Sequence, residues 1–278
     1  DVYKRQVYNQ ADIQSRLKTK WVAHPLQFFD SIDSTNIRAK LEAEQGAESG
    51  LLVVSDMQSA GRGRRGRGWE SPAGINIYYT LMLKPDFSSD CAPMLTLVMA
   101  LAVAKGIRQT LRRDSEEAAA KVGIKWPNDI VVDGKKVCGI LTEMSMEQGY
   151  IQHIVIGVGI NVRKQEFPEE IRDRAAAIDE QCGFRISRSQ LIADIMEAFE
   201  EDYEIFLRTH DLKGLRASYA ELLVNQDREV CVLDPKGEYR GIARGINDQG
   251  ELLVERQDGT VEEVYAGEVS VRGIYGYV

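Results

Sequence analysis

Four arginines and four glycines share the run from Ala60 to Trp69, Ala-Gly-Arg-Gly-Arg-Arg-Gly-Arg-Gly-Trp, with no acidic residue among them. The guanidinium groups of Arg62, Arg64, Arg65 and Arg67 each present a planar fork of donors that fits a phosphate or a carboxylate. Gly61, Gly63, Gly66 and Gly68 let backbone N–H groups come close to the same anion. Like charges at this spacing repel, and glycine-rich backbone loses much entropy on ordering. The run is therefore expected to be mobile by itself and to settle on an anion. An RGG-like RNA-binding tract and a solvated basic loop are the competing readings. Both are weakened because the run is single, short and set between the strand-like segments Leu51–Ser55 and Ile75–Leu83. Loops carried by rigid strands are where binding chemistry concentrates. The spacing G-x-x-x-x-G-K-[ST] is absent, which excludes the usual phosphate loop.

The other chemistry-bearing groups are individually weak. Ser34-Thr35-Asn36 reads first as a helix cap, and Lys125-Trp126-Pro127-Asn128-Asp129 as a rigid hairpin corner. Lys135 and Lys136 are adjacent, so strand alternation sends them to opposite faces. Gly157-Val158-Gly159-Ile160-Asn161 lacks the third glycine and the following helix of a dinucleotide fingerprint. Cys91, Cys138, Cys182 and Cys231 are scattered, with no C-x-x-C pair and only three histidines. A zinc site is disfavoured, and reduced thiols in a cytosol are the expectation.

These groups need a frame. At 278 residues the chain is long enough for one large domain and a small one. Its net charge of −8 makes the arginine run a local positive feature on an acidic body, which favours a small anionic ligand over nucleic acid. No signal-peptide core or membrane span is read from the sequence. Asp1–Gln6 is unrelated in texture to the rest of the chain, and Ile13–Trp21 reads as a short helical or linking piece. Leu26–Ile32 reads as a strand, and a helix runs from the Ser34 region to Gly46. Met94–Leu111 is a helix apolar on most sides and hence central. Val122–Trp126, Ile130–Val132, Val137–Met144 and Ile151–Val162 read as strands, with Asp133-Gly134 as a hairpin turn. Helices are expected over Phe167–Ile178, Leu191–Leu207 (capped by Ser187) and Asp211–Leu223. From Val224 onward, short strands at Glu229–Leu233, Tyr239–Ile246, Leu252–Arg256 and Val261–Tyr265 suggest a small SH3-type barrel. The fold class is α+β.

Taken in order, the motifs are specific. Ser-Thr-Asn, then Gln58 with the arginine run, then Lys-Trp-Pro-Asn-Asp, Lys-Val-Cys-Gly-Ile-Leu-Thr-Glu and Gly-Val-Gly-Ile-Asn closely resemble the biotin protein ligase family. The resemblance spans roughly residues 26–272 and includes Gly267-Glu268-Val269-Ser270-Val271-Arg272. Lipoate ligases share the general fold but not the arginine run. The resemblance implies a mixed sheet with packed helices, of the class II synthetase-like biotin/lipoate ligase fold, followed by an SH3-like barrel. It divides the chain into an N-terminal linker remnant (1–25), a catalytic domain (26–223) and a C-terminal domain (224–278).

The activity so implied is that of a cytoplasmic biotin–protein ligase. Biotin and ATP form biotinyl-5′-adenylate, and biotin then passes to one lysine of the biotin carboxyl carrier protein of a biotin-dependent carboxylase. Mg²⁺ would accompany the phosphates. By motif match, Ser34, Thr35, Asn36 and Gln58 hydrogen-bond the head of biotin, while Arg62, Gly63 and Arg64 close over it. Lys136 holds the carboxylate and α-phosphate together, with Arg64 as its catalytic partner. Arg65, Arg67, Trp69, Asn128 and Asn161 are expected at the nucleotide. Trp126 is either a wall of the site or core, and Glu268 and Arg272 reach in from the C-terminal domain. A side-by-side homodimer is compatible with open sheet edges. Some members carry a DNA-binding winged-helix domain ahead of the catalytic region. Only about 25 residues precede it here, so neither repressor activity nor nucleic-acid binding is expected.

Overall fold

The computed structural model describes residues 8–233, 237–266, 270–273 and 277–278. Its main sheet contains β1 (Leu26–Phe29), β2 (Leu52–Ser55), β3 (Ile77–Leu83), β4 (Val122–Lys125), β5 (Asp129–Val132), β6 (Lys135–Glu147) and β7 (Tyr150–Ile160). Across the sheet the order is β1-β2-β3-β7-β6-β5-β4. Only β1 and β2 run parallel, so the sheet is mixed. The hairpin at Asp133-Gly134 forms as its residue types require, with both residues in the left-handed region (φ 51° and 74°).

Seven α-helices lie among the described residues: α1 (Gln10–Gln14), α2 (Thr35–Glu44), α3 (Met94–Arg112), α4 (Glu116–Ala120), α5 (Ile178–Cys182), α6 (Arg188–Phe206) and α7 (Arg216–Leu222). Helices α3 and α6 cross closely enough that a Cβ on Gly106 would lie 2.8 Å from the Ile195 backbone nitrogen. Segment Ser89–Arg112, which contains α3, is long and apolar enough to cross a membrane, yet 72% of its most apolar window is buried inside the protein. It is the core helix. Helix α2 covers another part of the sheet, packing Ala39 and Ala43 with Val53, Met82 and Val155. Ser187 caps α6 by accepting from the Gln190 N–H.

The C-terminal sheet is antiparallel, with β8 (Glu229–Leu233), β9 (Tyr239–Ile246), β10 (Leu252–Glu255), β11 (Val261–Val264) and β12 (Ser270–Gly273) in the order β11-β10-β9-β8-β12. The Trp126 indole N–H donates to the Gly250 carbonyl at 2.9 Å and ties the two sheets together.

Two helical expectations are corrected, and the helical-or-linking reading of Ile13–Trp21 resolves to a link. Phe167–Ile178 is not a helix. Its turns lead to Ala175, which bridges Lys136, with Lys136 N–H donating to Arg174 O and Ala176 N–H to Lys136 O. Strand β7 pairs with β6 only as far as Cys138, leaving the Lys136 backbone groups without a strand partner on that side. Satisfying them outweighs the helical pattern. Helix α7 begins at Arg216 rather than Asp211; turns precede it, with Leu212 N–H donating to Asp248 O. The N-terminal helix α1 ends at Gln14, and the linking segment after it docks the N–H groups of Lys20–Val22 on the Glu200 carboxylate.

Candidate active site

A cavity of about 370 Å³ opens above the main sheet and is bordered by the C-terminal sheet. The residues predicted from sequence to contact substrate all line it: Ser34, Thr35, Asn36, Gln58, Arg62, Gly63, Arg64, Arg65, Arg67, Trp69, Asn128, Lys136 and Asn161. Arg272 borders it from the C-terminal sheet. Glu268 lies outside the described residues.

In the structure the arginine run forms a turn. Arg62 and Gly68 face each other across it, Gly63 N–H donates to Arg67 O at 2.8 Å, and Trp69 N–H donates to Gly61 O at 3.0 Å. Arg65 and Gly66 turn the chain at φ 59° and 71°. Arg64 then fastens the turn across the cavity, donating to Asn128 Oδ1 at 2.5 Å and to the Ala266 carbonyl at 2.8 Å. Cross-loop backbone pairs and this anchor offset the charge repulsion that composition alone emphasises.

At one end of the cavity lies a polar network. Ser34, Thr35 and Asn36 occupy the start of α2 and are buried. The Ser34 side chain does not cap the helix; instead, Gln58 Oε1 accepts from the Thr35 N–H at 2.9 Å. The Gln58 amide donates to Ser71 Oγ at 3.0 Å. Asn36 donates to Glu143 Oε2 at 2.8 Å, and its Oδ1 lies 2.6 Å from Thr80 Oγ1. Lys40 also holds Glu143, at 2.8 Å. Burial raises the Glu143 pKa, but hydrogen bonds from Lys40 and Asn36 outweigh it and leave the group below its ordinary value. A Cβ on Gly157 would lie 2.1 Å from Asn36 Oδ1, so glycine there leaves room for the Asn36 amide in this position.

At the other end the charges are mainly cationic. Lys136 Nζ lies 2.6 Å from Asp129 Oδ1, while Tyr277 OH donates to Asp129 Oδ2. Lys135 is exposed and Lys136 faces the cavity, as alternation requires. Trp69 stacks its ring on Gly139 and Gly159, where a Cβ on Gly159 would sit 2.5 Å from the indole nitrogen. Lys136 lies 5.6 Å from the centroid of that ring. Trp126 combines its two predicted roles: it is 2% exposed and bonded to Gly250, and it also lines the cavity. Cys138 is buried and its thiol is pushed above the ordinary range, which makes it an inert packing group.

Sequence reasoning missed Thr80 and Glu143 in the polar network, and Lys125, Asp129, Arg174 and Tyr277 at the cationic end. Lys125 and Asp129 flank Asn128 in the quoted motif, and two charges inside a strand-turn were the available signal. Nothing local marks Tyr277 or Arg174.

The arrangement matches known proteins. Residues 28–161 match the Biotin/lipoate A/B protein ligase family, and residues 227–272 match the Biotin protein ligase C terminal domain. The "Bifunctional ligase/repressor BirA" of Bacillus subtilis is 35% identical over 265 residues, covering 95% of this chain and 79% of that protein. The "Biotin--[acetyl-CoA-carboxylase] ligase" of Paracoccus denitrificans is 30% identical over 242 residues, covering 84% of this chain and 98% of that one. Among solved structures, "Biotin protein ligase from Aquifex aeolicus in complex with biotin and ATP" superimposes with a TM-score of 0.75 at 29% identity, over 89% of this chain and 98% of that one. With its fold, its C-terminal sheet and its ordered motifs in agreement, the chain belongs to the biotin protein ligase family and is an enzyme of the biotin–protein ligase class.

Proposed function

We propose that this protein activates biotin as biotinyl-5′-adenylate and transfers it to one lysine of a biotin carboxyl carrier protein. The observation that carries the reading is the meeting, in one cavity, of a buried hydroxyl and amide network with a cluster of cations. A ureido ring offers two N–H donors and a carbonyl, which suits Ser34, Thr35, Asn36 and Gln58. Arg62, Gly63 and Arg64 close over biotin from the arginine turn. Arg65, Arg67, Trp69, Asn128 and Asn161 hold the nucleotide.

In the first step a biotin carboxylate oxygen bonds to the α-phosphorus, and the α–β bridging oxygen leaves with its electron pair as pyrophosphate. The carboxylate is already ionised at neutral pH, so no base is required. Lys136 and the arginines lower the barrier by neutralising charge where two anions meet. Arg64 keeps the turn shut, which shields the mixed anhydride from water. In the second step the carrier lysine attacks the anhydride carbonyl and AMP departs.

Mg²⁺ would ride on the phosphates and withdraw charge from them. Asp129 is the one carboxylate among the described residues lining the cavity, and because Lys136 and Tyr277 engage both its oxygens, the substrate phosphates would supply most of the ion's ligands. Residues 26–223 would form the catalytic unit and 224–278 the C-terminal domain.

The test mixes purified protein with biotin, ATP, Mg²⁺ and a carrier domain, and reads the carrier by mass spectrometry. A single modified lysine is expected. An unmodified carrier, where a known ligase labels it, removes the reading.

A further inference from the structure

Lys125 has the environment of an anion site, and none of the contacts to biotin, nucleotide or metal proposed for this cavity involves it. It ends β4 at the edge of the main sheet, lines the cavity and is only 5% exposed. Lys136 has Asp129 at 2.6 Å, whereas among the described residues no carboxylate lies within ion-pair distance of the Lys125 ammonium. Its close neighbour is the Tyr277 ring, with Nζ 3.3 Å from the ring centroid. An aromatic face replaces only a small part of the hydration a buried ammonium loses. Burial pulls the Lys125 pKa down to about 8, resisted by Asp129 and reinforced by Lys136, Arg272 and Arg174. A methionine would fill the same volume at no electrostatic cost. A charge retained there, among three other cations, suits a strongly anionic ligand.

Strand register says which part of the ligand. Lys125, Asp129, Gly139 and Gly159 are successive partners across β4, β5, β6 and β7. Trp69 roofs the Gly139–Gly159 end of this row, and Asn36 approaches β7 at Gly157. The polar network thus stands over β7 and its neighbour β3, the Lys136 side chain rises from β6, and Lys125 closes the row on β4. Two strand spacings, about 10 Å, separate the backbones of β6 and β4. Leu233, Val271 and Arg272 of the C-terminal sheet line the same cavity.

Resting on the ligase reading above, we propose that Lys125 binds the pyrophosphate end of ATP and neutralises the pyrophosphate as it leaves. When the carboxylate–phosphorus bond forms and the α–β bridge breaks, the electron pair departs toward Lys125, and no proton changes hands. Lys136 serves the reacting centre and Lys125 the leaving group.

The experiment compares wild type, Lys125→Met and Lys125→Arg in biotin-dependent pyrophosphate–ATP exchange, in biotin binding, and in transfer from pre-formed biotinyl-adenylate to the carrier. Lys125→Met is expected to raise the half-saturating pyrophosphate concentration by about tenfold or more, as loss of a charge-assisted contact does. Biotin affinity and transfer from the pre-formed adenylate should stay at wild-type values, and Lys125→Arg should recover part of the pyrophosphate affinity. Unchanged pyrophosphate saturation in Lys125→Met overturns the assignment, as does an equal loss in adenylate transfer. Should Lys125→Met fail to fold, acetylation of wild-type Lys125 is followed by mass spectrometry with and without saturating pyrophosphate. Protection supports the site, and its absence overturns it. A wild-type chain that forms no adenylate would sink the ligase reading instead, so the two failures are separable.

Discussion

Lys136 and Asp129 face each other at 2.6 Å inside the cavity, on neighbouring strands β6 and β5. The carboxylate keeps the lysine extended over the site, and Tyr277 holds the second carboxylate oxygen. On the proposed mechanism, removal of Lys136 takes away the cation at the reacting centre, while its backbone pairings in the sheet remain. Lys136→Ala is therefore expected to slow adenylate formation by on the order of a hundredfold or more, the usual scale for one preorganised electrostatic contact. Its melting temperature should stay near that of wild type. Single-turnover adenylation measured beside a thermal melt checks both halves, and a near-normal rate would show that the catalytic cation is elsewhere.

Arg64 is the latch of the arginine turn, joined to Asn128 on one side and Ala266 on the other. Arg64→Gly removes both hydrogen bonds from a charged donor, worth together about 2–4 kcal/mol. Release of biotinyl-adenylate should accelerate by on the order of 30-fold or more. Filter-retention kinetics of the labelled adenylate measure this directly. Free adenylate should also biotinylate bystander proteins, and unchanged retention would contradict the latch.

Gly157→Ala places a Cβ 2.1 Å from Asn36 Oδ1, in the middle of the polar network. The Asn36 side chain, or the helix and strand behind it, must then shift, which disturbs the contacts of Asn36 with Thr80 and Glu143. Biotin affinity by calorimetry should fall by about tenfold or more, the scale of leaving one buried polar group unpaired. Wild-type affinity would mean that Asn36 has no part in binding.

Glu200 accepts three N–H donors from Lys20, Trp21 and Val22, at 2.8–3.0 Å. Burial raises its pKa, but the three donors together outweigh it, so the folded-state value lies below the ordinary one. A depressed carboxyl pKa contributes stability above the unfolded-state value, about 4.3, and that contribution is lost as pH falls through the folded-state value. Glu200→Gln should therefore melt earlier than wild type at pH 7, and the two melting curves should converge in acid. A difference that is constant from pH 7 to about pH 3 would assign the loss to packing instead.

The parts of the site that could be read in advance share a feature: their meaning is local. The arginine–glycine run, the paired lysines and the Asp133-Gly134 turn carry their chemistry or geometry in adjacent residues. Helix α3 and strands β8 to β11 were legible within a few residues, because apolar periodicity over a long helix and turn residues between short strands are strong signals. Phe167–Ile178 misled because its helical pattern competes with the open backbone edge at Lys136, which lies about 40 residues away in the chain. Tyr277 had no local signal for the same reason, since its role depends on Lys125 and Asp129 across the cavity.

By itself the amino-acid sequence determined the chemistry available to this protein: hydroxyls and amides for a polar ring, guanidiniums and a lysine for anions, and a motif order that resembles one ligase family. Tertiary structure alone decided which of those charges meet. Packing across three strands and the C-terminal residues put Asp129 against Lys136 and set Lys125 against an aromatic ring, with no carboxylate at ion-pair distance among the described residues. Pairing energy depends steeply on distance and burial, and those are set where strands meet rather than along the chain.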